Sequence, residues 1–172
     1  MLCLFFWALL FSLSPPLFSK VDPPNYDFSL DTLEVFEPGK TVKEVEQNFQ
    51  GKVLNKSGPV TLKRYYVAHI RYKFPVMVQF KEGKVIDFFA RLPSYFLHDV
   101  FHQSLINRYE LQDQYTKKEA QAVYIWKEDK VRRIYQGQCT ITCFPMYYVV
   151  KKMDEKTPSI LEKMQKRWAP KK

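Results

Sequence analysis

Apolar side chains fall into distinct patterns along this chain, and each pattern predicts a different element. Residues 1–19, MLCLFFWALLFSLSPPLFS, are an apolar block without one charged side chain. The run Leu2–Leu13 has the length of the h-region of a secretory signal peptide. A spanning helix needs about 20 apolar residues. Pro15 and Pro16 end the run before that, because proline lacks the N–H and clashes with the preceding turn. The block is expected to be an export signal cleaved before Lys20, with an uncleaved anchor as the alternative. The protein is therefore expected in the periplasm or outside the cell.

Beyond the block, Val21–Asn25 carries two prolines, and residues 20–36 read as a linker or N-terminal extension. Thr41 is an N-cap with Glu44 three residues on, a capping box. The helix is predicted through about Phe49, with Val42, Val45 and Phe49 on one face, and Gly51 ends it. Val60–Leu92 is rich in β-branched and aromatic residues. Lys81-Glu82-Gly83-Lys84 separates two apolar runs there, a hairpin signal. Pro93-Ser94 opens a longer helix in which Leu97, Val100, Phe101, Leu105 and Tyr109 keep helical spacing. Strands follow at Ala122–Trp126 and Val131–Tyr135, joined by Lys127–Lys130, and Gln138–Val150 is extended, with Pro145 at an edge or bulge. Thr157-Pro158-Ser159 starts a last helix, Thr157 as N-cap and Pro158 at the first position.

Lys81-Glu-Gly-Lys-Val85 matches Lys127-Glu-Asp-Lys-Val131, and Val45–Phe49 matches Leu105–Tyr109 more loosely. The expected fold is α+β: a tandem helix-plus-antiparallel-strands repeat, with helices packed on one face of an antiparallel sheet. Its halves are residues 37–92 and 93–150, followed by a basic tail and C-terminal amphipathic helix over 151–172.

Composition changes this picture in two places. Aromatic residues make up 16% of the chain, enough to fill a core and to exclude a disordered chain. The net charge is +9, and residues 151–172 supply eight Lys or Arg against three acids, more than half of the excess. That places the charge on an attached arm rather than on a basic domain face. Cleavage of the signal removes Cys3 and leaves Cys139 and Cys143, a disulfide candidate in an exported protein. Four residues of regular strand span about 13 Å, and a disulfide needs Cα atoms within about 7 Å, so the bond requires a turn or bulge at 140–142. Free thiols are the alternative.

Pro38-Gly39-Lys40-Thr41, Val42-Lys-Glu-Val45 and Phe49-Gln-Gly51 together resemble the start of a BamE/SmpA-type domain, whose small helix-plus-strands unit is similar to the tandem beta-lactamase-inhibitor-protein (BLIP) fold. The resemblance implies an envelope or secreted protein that works by binding other proteins. BamE proteins usually carry a lipidated cysteine just after the signal; Cys3 stands too early for that role, so a lipid tether is not expected.

No residue set forms a catalytic signature, and no glycine-rich phosphate loop is present, so no cofactor and no nucleotide are expected. His98-Asp99-Val100-Phe101-His102 places two imidazoles at i, i+4 on one helix face, as in zinc hydrolases. A third ligand would be needed, with Glu119 conceivable. A small secreted metal-dependent hydrolase is thus the alternative function, and a thiol–imidazole pair between His69 and either cysteine is a weaker one. The favoured reading is a non-catalytic binding protein whose partner is a protein or an anionic envelope or membrane surface, not nucleic acid. Tyr65, Tyr66 and Tyr72, interleaved with basic residues such as Arg71, make the first sheet the preferred binding surface. On the tail, Ile160, Leu161, Met164 and Trp168 form an apolar stripe beside Lys163, Lys166 and Arg167; such a helix either contacts a membrane or partner, or docks on its own domain.

Overall fold

A computed structural model of the chain describes residues 26–69, 71–139 and 143–168. The expected export signal and the Val21–Asn25 segment lie outside the described residues. Eight strands form one antiparallel sheet: β1 (Lys52–Ser57), β2 (Val60–His69), β3 (Tyr72–Lys81), β4 (Lys84–Arg91), β5 (Gln114–Lys118), β6 (Gln121–Glu128), β7 (Val131–Cys139) and β8 (Cys143–Lys152). Their order across the sheet is β1-β2-β3-β4-β8-β7-β6-β5, so β4 and β8 meet at its centre. Four short helices accompany it among the described residues: α1 (Asp27–Glu34), α2 (Val42–Glu46), α3 (His98–Tyr109) and α4 (Ile160–Trp168).

The chain is α+β, but the expected tandem repeat with helices on one face is corrected. The sheet dominates, and the helices do not share a face. Leu30, Leu33, Val45, Phe101 and Leu105 from α1, α2 and α3 enter one core with Tyr65, Phe88, Trp126 and Tyr148. Ile160 and Leu161 of α4 enter a second core with Phe89 and Val149 on the opposite face. The motif that suggested a repeat does not occupy equivalent positions either. In the first hairpin Lys81 faces Lys84 and the turn residues are Glu82 and Gly83. In the second, Glu128 faces Val131, so the turn falls one residue later, on Asp129 and Lys130. Glu82 and Gly83 both have positive φ (52° and 77°), the primed geometry that suits the twist of a two-residue hairpin. The matched helix ends also differ: α2 stops at Glu46, before Phe49, whereas α3 runs twelve residues through Tyr109.

Several local expectations hold in detail. Thr41 and Glu44 form the capping box, with Glu44 N–H donating to Thr41 Oγ1 and Thr41 N–H to the Glu44 carboxylate. Pro145 lies where β8 runs past the end of β4, beside a register shift between Gly137 and Cys139 in β7, so its missing N–H interrupts no ladder with β4. Other expectations shift. Part of the expected linker is α1, pinned by Leu30, Leu33 and Phe36 in the core. Residues 93–97 form a turn, with Phe96 N–H bonded to Pro93 O, and α3 begins at His98. The last helix begins at Ile160, capped by Ser159 rather than Thr157. Glu162 N–H donates to Ser159 Oγ at 3.2 Å, and Ser159 N–H donates to the Glu162 carboxylate at 3.1 Å.

Gly51 serves a different purpose from helix termination. A Cβ there would sit 2.4 Å from the ring of Tyr65, a fully buried side chain against Phe36. The glycine lets the backbone cross that ring in close contact. Gly51→Ala is expected to destabilise the fold by about 1–3 kcal/mol, the usual cost of overpacking. Urea unfolding measures this, and an unchanged midpoint would show that the ring moves aside freely.

Candidate functional site

The second face of the sheet is only partly covered. Helix α4 lies over the row Met77, Phe89, Val149 and Ile134, where its apolar residues find their contacts. The next row towards the other strand ends meets that cluster only through Tyr147, whose ring stands 5.1 Å from that of Phe89. There Tyr66 pairs with Pro75, and Arg91 with Tyr147, which in turn pairs with Gln136. Strand alternation dictates this side: Tyr65 and Val67 point into the first core, so Tyr66 points the other way. Beyond this row the start of β3, residues 91–95 and the start of β8 converge on a cleft of about 590 Å³. Tyr72, Lys73, Pro75, Arg91, Tyr95 and Phe144 are among its lining residues.

This end of the molecule is aromatic and cationic. Tyr72 is 61% exposed and Tyr66 49%. The Tyr72 and Tyr95 rings stand 5.1 Å apart, and the Tyr95 hydroxyl lies 3.2 Å from His69 Nδ1. The Arg64 guanidinium sits over Tyr66 at 5.2 Å, and that of Arg91 over Phe144 at 5.6 Å. Several half-buried cations elsewhere are matched by acids: Lys63 with Glu46, Lys81 with Glu155, Arg108 with Asp31 and Glu34, Lys151 with Glu162. Among the described residues Arg64, Arg71, Lys73 and Arg91 have no ion pair. Guanidinium planes held over rings and left without a carboxylate are poised for an external anion.

The sequence-predicted binding residues therefore divide. Tyr66, Arg71 and Tyr72 are on the surface at this end. Tyr65 is corrected: it is fully buried in the core and cannot contact a partner. Arg91, Tyr95 and Phe144 were missed. Arg91 closes a strand whose other residues are mostly buried, and the other two lie in stretches assigned to a helix and to an extended segment.

The tail residues divide as well. The buried Ile160 and Leu161 spend the apolar stripe on docking. Lys163 bonds Gln79 Oε1 on β3, while Lys166 and Arg167 are exposed. The Trp168 side chain lies outside the described residues.

His98 and His102 face the sheet rather than solvent. Their rings are 6.0 Å apart and nearly parallel, and His102 lies 4.0 Å from the Tyr124 ring. His98 Nδ1 is 2.8 Å from the Tyr135 hydroxyl, and His98 Nε2 is 3.4 Å from that of Tyr124. His102 Nε2 is 3.3 Å from Gln112 Oε1. Burial lowers the pKa of both imidazoles, so both favour the neutral form. Asp99 is exposed and joins neither. Glu119 lines a separate cleft with Gln136, Tyr147 and Gln165 of α4, on the other face of the sheet. Among the described residues the geometry does not bring Asp99 or Glu119 together with these two histidines as a hydrolase ligand set.

Cys139 and Cys143 form a disulfide across the β7–β8 hairpin, with Cα atoms 3.8 Å apart. The chain reversal that a bond at this spacing requires is supplied by the hairpin. The imidazole beside the sulfurs is His98, not His69. No protein-family model, curated protein or solved structure matches the chain.

Proposed function

We propose that this chain is a non-catalytic, exported binding protein whose contact surface is the aromatic and cationic end of the sheet. One observation carries the reading: the Arg64 and Arg91 guanidinium groups lie over the rings of Tyr66 and Phe144 with no ion pair among the described residues, beside Arg71, Lys73 and the exposed Tyr66 and Tyr72. Tyrosine and arginine together dominate protein-binding hot spots, since rings supply rigid contact area and the guanidinium supplies directed hydrogen bonds. The partner this surface fits is a protein presenting carboxylates beside apolar side chains. Export is supported by the apolar block at 1–19 and is compatible with the disulfide. The likeness of residues 38–51 to the start of BamE/SmpA-type domains points the same way.

The test is affinity capture from an envelope extract with wild type and two double variants, read by the quantity of each specifically retained protein. Tyr72→Ala with Arg91→Glu is expected to lower retention of the cognate partner at least about tenfold, since each hot-spot loss costs about 2 kcal/mol or more. Its melting temperature should stay that of wild type, because both side chains are exposed. Lys166→Glu with Arg167→Glu on α4 should leave retention intact. The reverse pattern would move the contact surface to the tail.

A further inference from the structure

The Cys139–Cys143 bond closes the end of a hairpin directly against the first turn of α3. One ligand atom from each of His98, Cys139 and Cys143 lies within 4.8 Å of the other two, and all three residues are half-buried. Gly137 makes room between them. A Cβ there would lie 3.4 Å from Cys139 Sγ, 3.6 Å from His98 Nδ1 and 3.7 Å from Cys143 Cβ. That glycine has no positive φ to explain it, so the space beside the sulfurs and imidazole is what its missing side chain provides. A cleft of about 540 Å³ runs past Leu97, His98, Asp99 and Cys143 and gives access from solvent.

Tetrahedral zinc takes thiolate sulfur at about 2.3 Å and imidazole nitrogen at about 2.0–2.1 Å, which sets its ligands roughly 3.5–3.8 Å from one another. The present spread therefore needs small side-chain rotations and a parting of the two sulfurs, which is what reduction allows. We propose that reduction of this disulfide opens a metal site for zinc or a similarly thiophilic divalent ion, built from both thiolates and His98, with its fourth position on the cleft. The redox step is a two-electron exchange with a dithiol reductant. The dithiol gives two electrons and two protons to the S–S bond and becomes a disulfide, leaving two cysteine thiols. The metal then displaces those two protons and binds both sulfurs. Coordination through Nδ1 gives up the bond to Tyr135, whose hydroxyl keeps Met146 Sδ at 3.0 Å. Nε2 retains the Tyr124 hydroxyl, the kind of outer contact that fixes a ligating imidazole. The disulfide is the lock: closed under oxidising conditions, it leaves no thiolate for the metal.

The site adjoins the binding surface at Phe144, which lines both clefts, but its three ligands lie outside that surface, and cobalt(II) reads it directly. Reduced full-length protein under anaerobic conditions is expected to bind one equivalent of cobalt, with thiolate-to-cobalt charge-transfer absorption and intense tetrahedral d–d bands that zinc abolishes. The oxidised protein should show neither. His98→Ala should weaken binding at least tenfold, Gly137→Ala should weaken it with all three ligands kept, and His102→Ala should leave it unchanged. Zinc should raise the melting temperature of the reduced protein only. Absent charge-transfer bands, equal affinity in His98→Ala, or loss of the sheet signature on reduction before metal is added would each overturn the proposal.

Discussion

Asp87→Asn is expected to stabilise the fold at about pH 8 by on the order of 4 kcal/mol over wild type, and to make almost no difference near pH 3. Asp87 lies in the middle of β4, 2% exposed, between the sheet and the start of α4. Its Oδ2 accepts the N–H of Ile160 at 2.8 Å, while Oδ1 has no hydrogen-bond partner in the protein. Burial pushes its pKa up from 3.8 to about 7; the Ile160 N–H, Lys163 and Lys151 pull it down and Glu162 pushes it further up. A carboxyl with a raised native pKa binds its proton more tightly folded than unfolded. Its contribution is full below about pH 3.8 and is lost as pH rises through about 7. The asparagine keeps an acceptor for Ile160 and never ionises. The relevant quantity is the difference between the two proteins, because other groups tilt the absolute profile. The depressed imidazoles of His69, His98 and His102 favour the fold above their ordinary pKa and withdraw that support as pH falls. Glu155, held at about 2 chiefly by Lys81, does the same further down. Urea unfolding of both proteins across this range measures the difference, and a gap that does not change with pH would show that Asp87 stays solvated.

The cost lands on α4. Burying Ile160 and Leu161 is worth roughly 1.5–3 kcal/mol each, about what ionising Asp87 takes away. The dock of the last helix is therefore firm in mild acid and finely balanced in mild alkali. Gln79 Nε2 to Pro158 O, and Lys151 to Glu162, hold the same junction from neighbouring strands.

What was legible in the sequence was local chemistry. Thr41 and Glu44 stand at the spacing a capping box needs, and Lys81–Lys84 offers Glu-Gly where both turn residues must take positive φ. Ser159 and Glu162 repeat the capping spacing, starting one residue past the proline that drew attention to Thr157. The edge strands were not legible. Every residue of β1 and of β5 is exposed, so neither alternates, and their lysines guard the sheet edges instead. The phase of β2 was also hidden, because Tyr65 and Tyr66 are adjacent and both phases carry an aromatic ring; only packing against Phe36 selects Tyr65 for the core. Side chains from α3 and β7 that meet around the cysteines are separated by about forty residues, beyond any local pattern. His98 therefore read as half of a zinc-hydrolase pair with His102, although its nearer ligand neighbours are the sulfurs.

The same long-range logic governs the one deeply buried cation among the described residues. Arg133 in β7 is 6% exposed. It reaches back to Glu37 in the loop before α2, to Glu128 at 2.7 Å across the β6–β7 hairpin, and stacks 4.1 Å over the Tyr109 ring at the end of α3. That loop is itself tied to β4, with Gly39 N–H bonded to Val85 O at 2.9 Å. Arg133 therefore joins the α1–α2 loop, the end of α3 and the second hairpin at one point. Arg133→Ala is expected to cost about 3–5 kcal/mol, because it strands the Glu37 carboxylate in a desolvated site as well as removing the pair. Burial already raises the Glu37 pKa against the opposing pull of Arg133, so the variant should also become less stable as pH rises through the carboxylate range and beyond. Replacing the pair together, Arg133→Met with Glu37→Gln, is expected to recover most of the loss, since a neutral amide and a flexible apolar chain remove the uncompensated charge. Urea unfolding of the single and double variants measures the coupling. A loss below about 1 kcal/mol for Arg133→Ala, the range of exposed pairs, would mean that water reaches Glu37 and that the three elements are held by their apolar contacts alone.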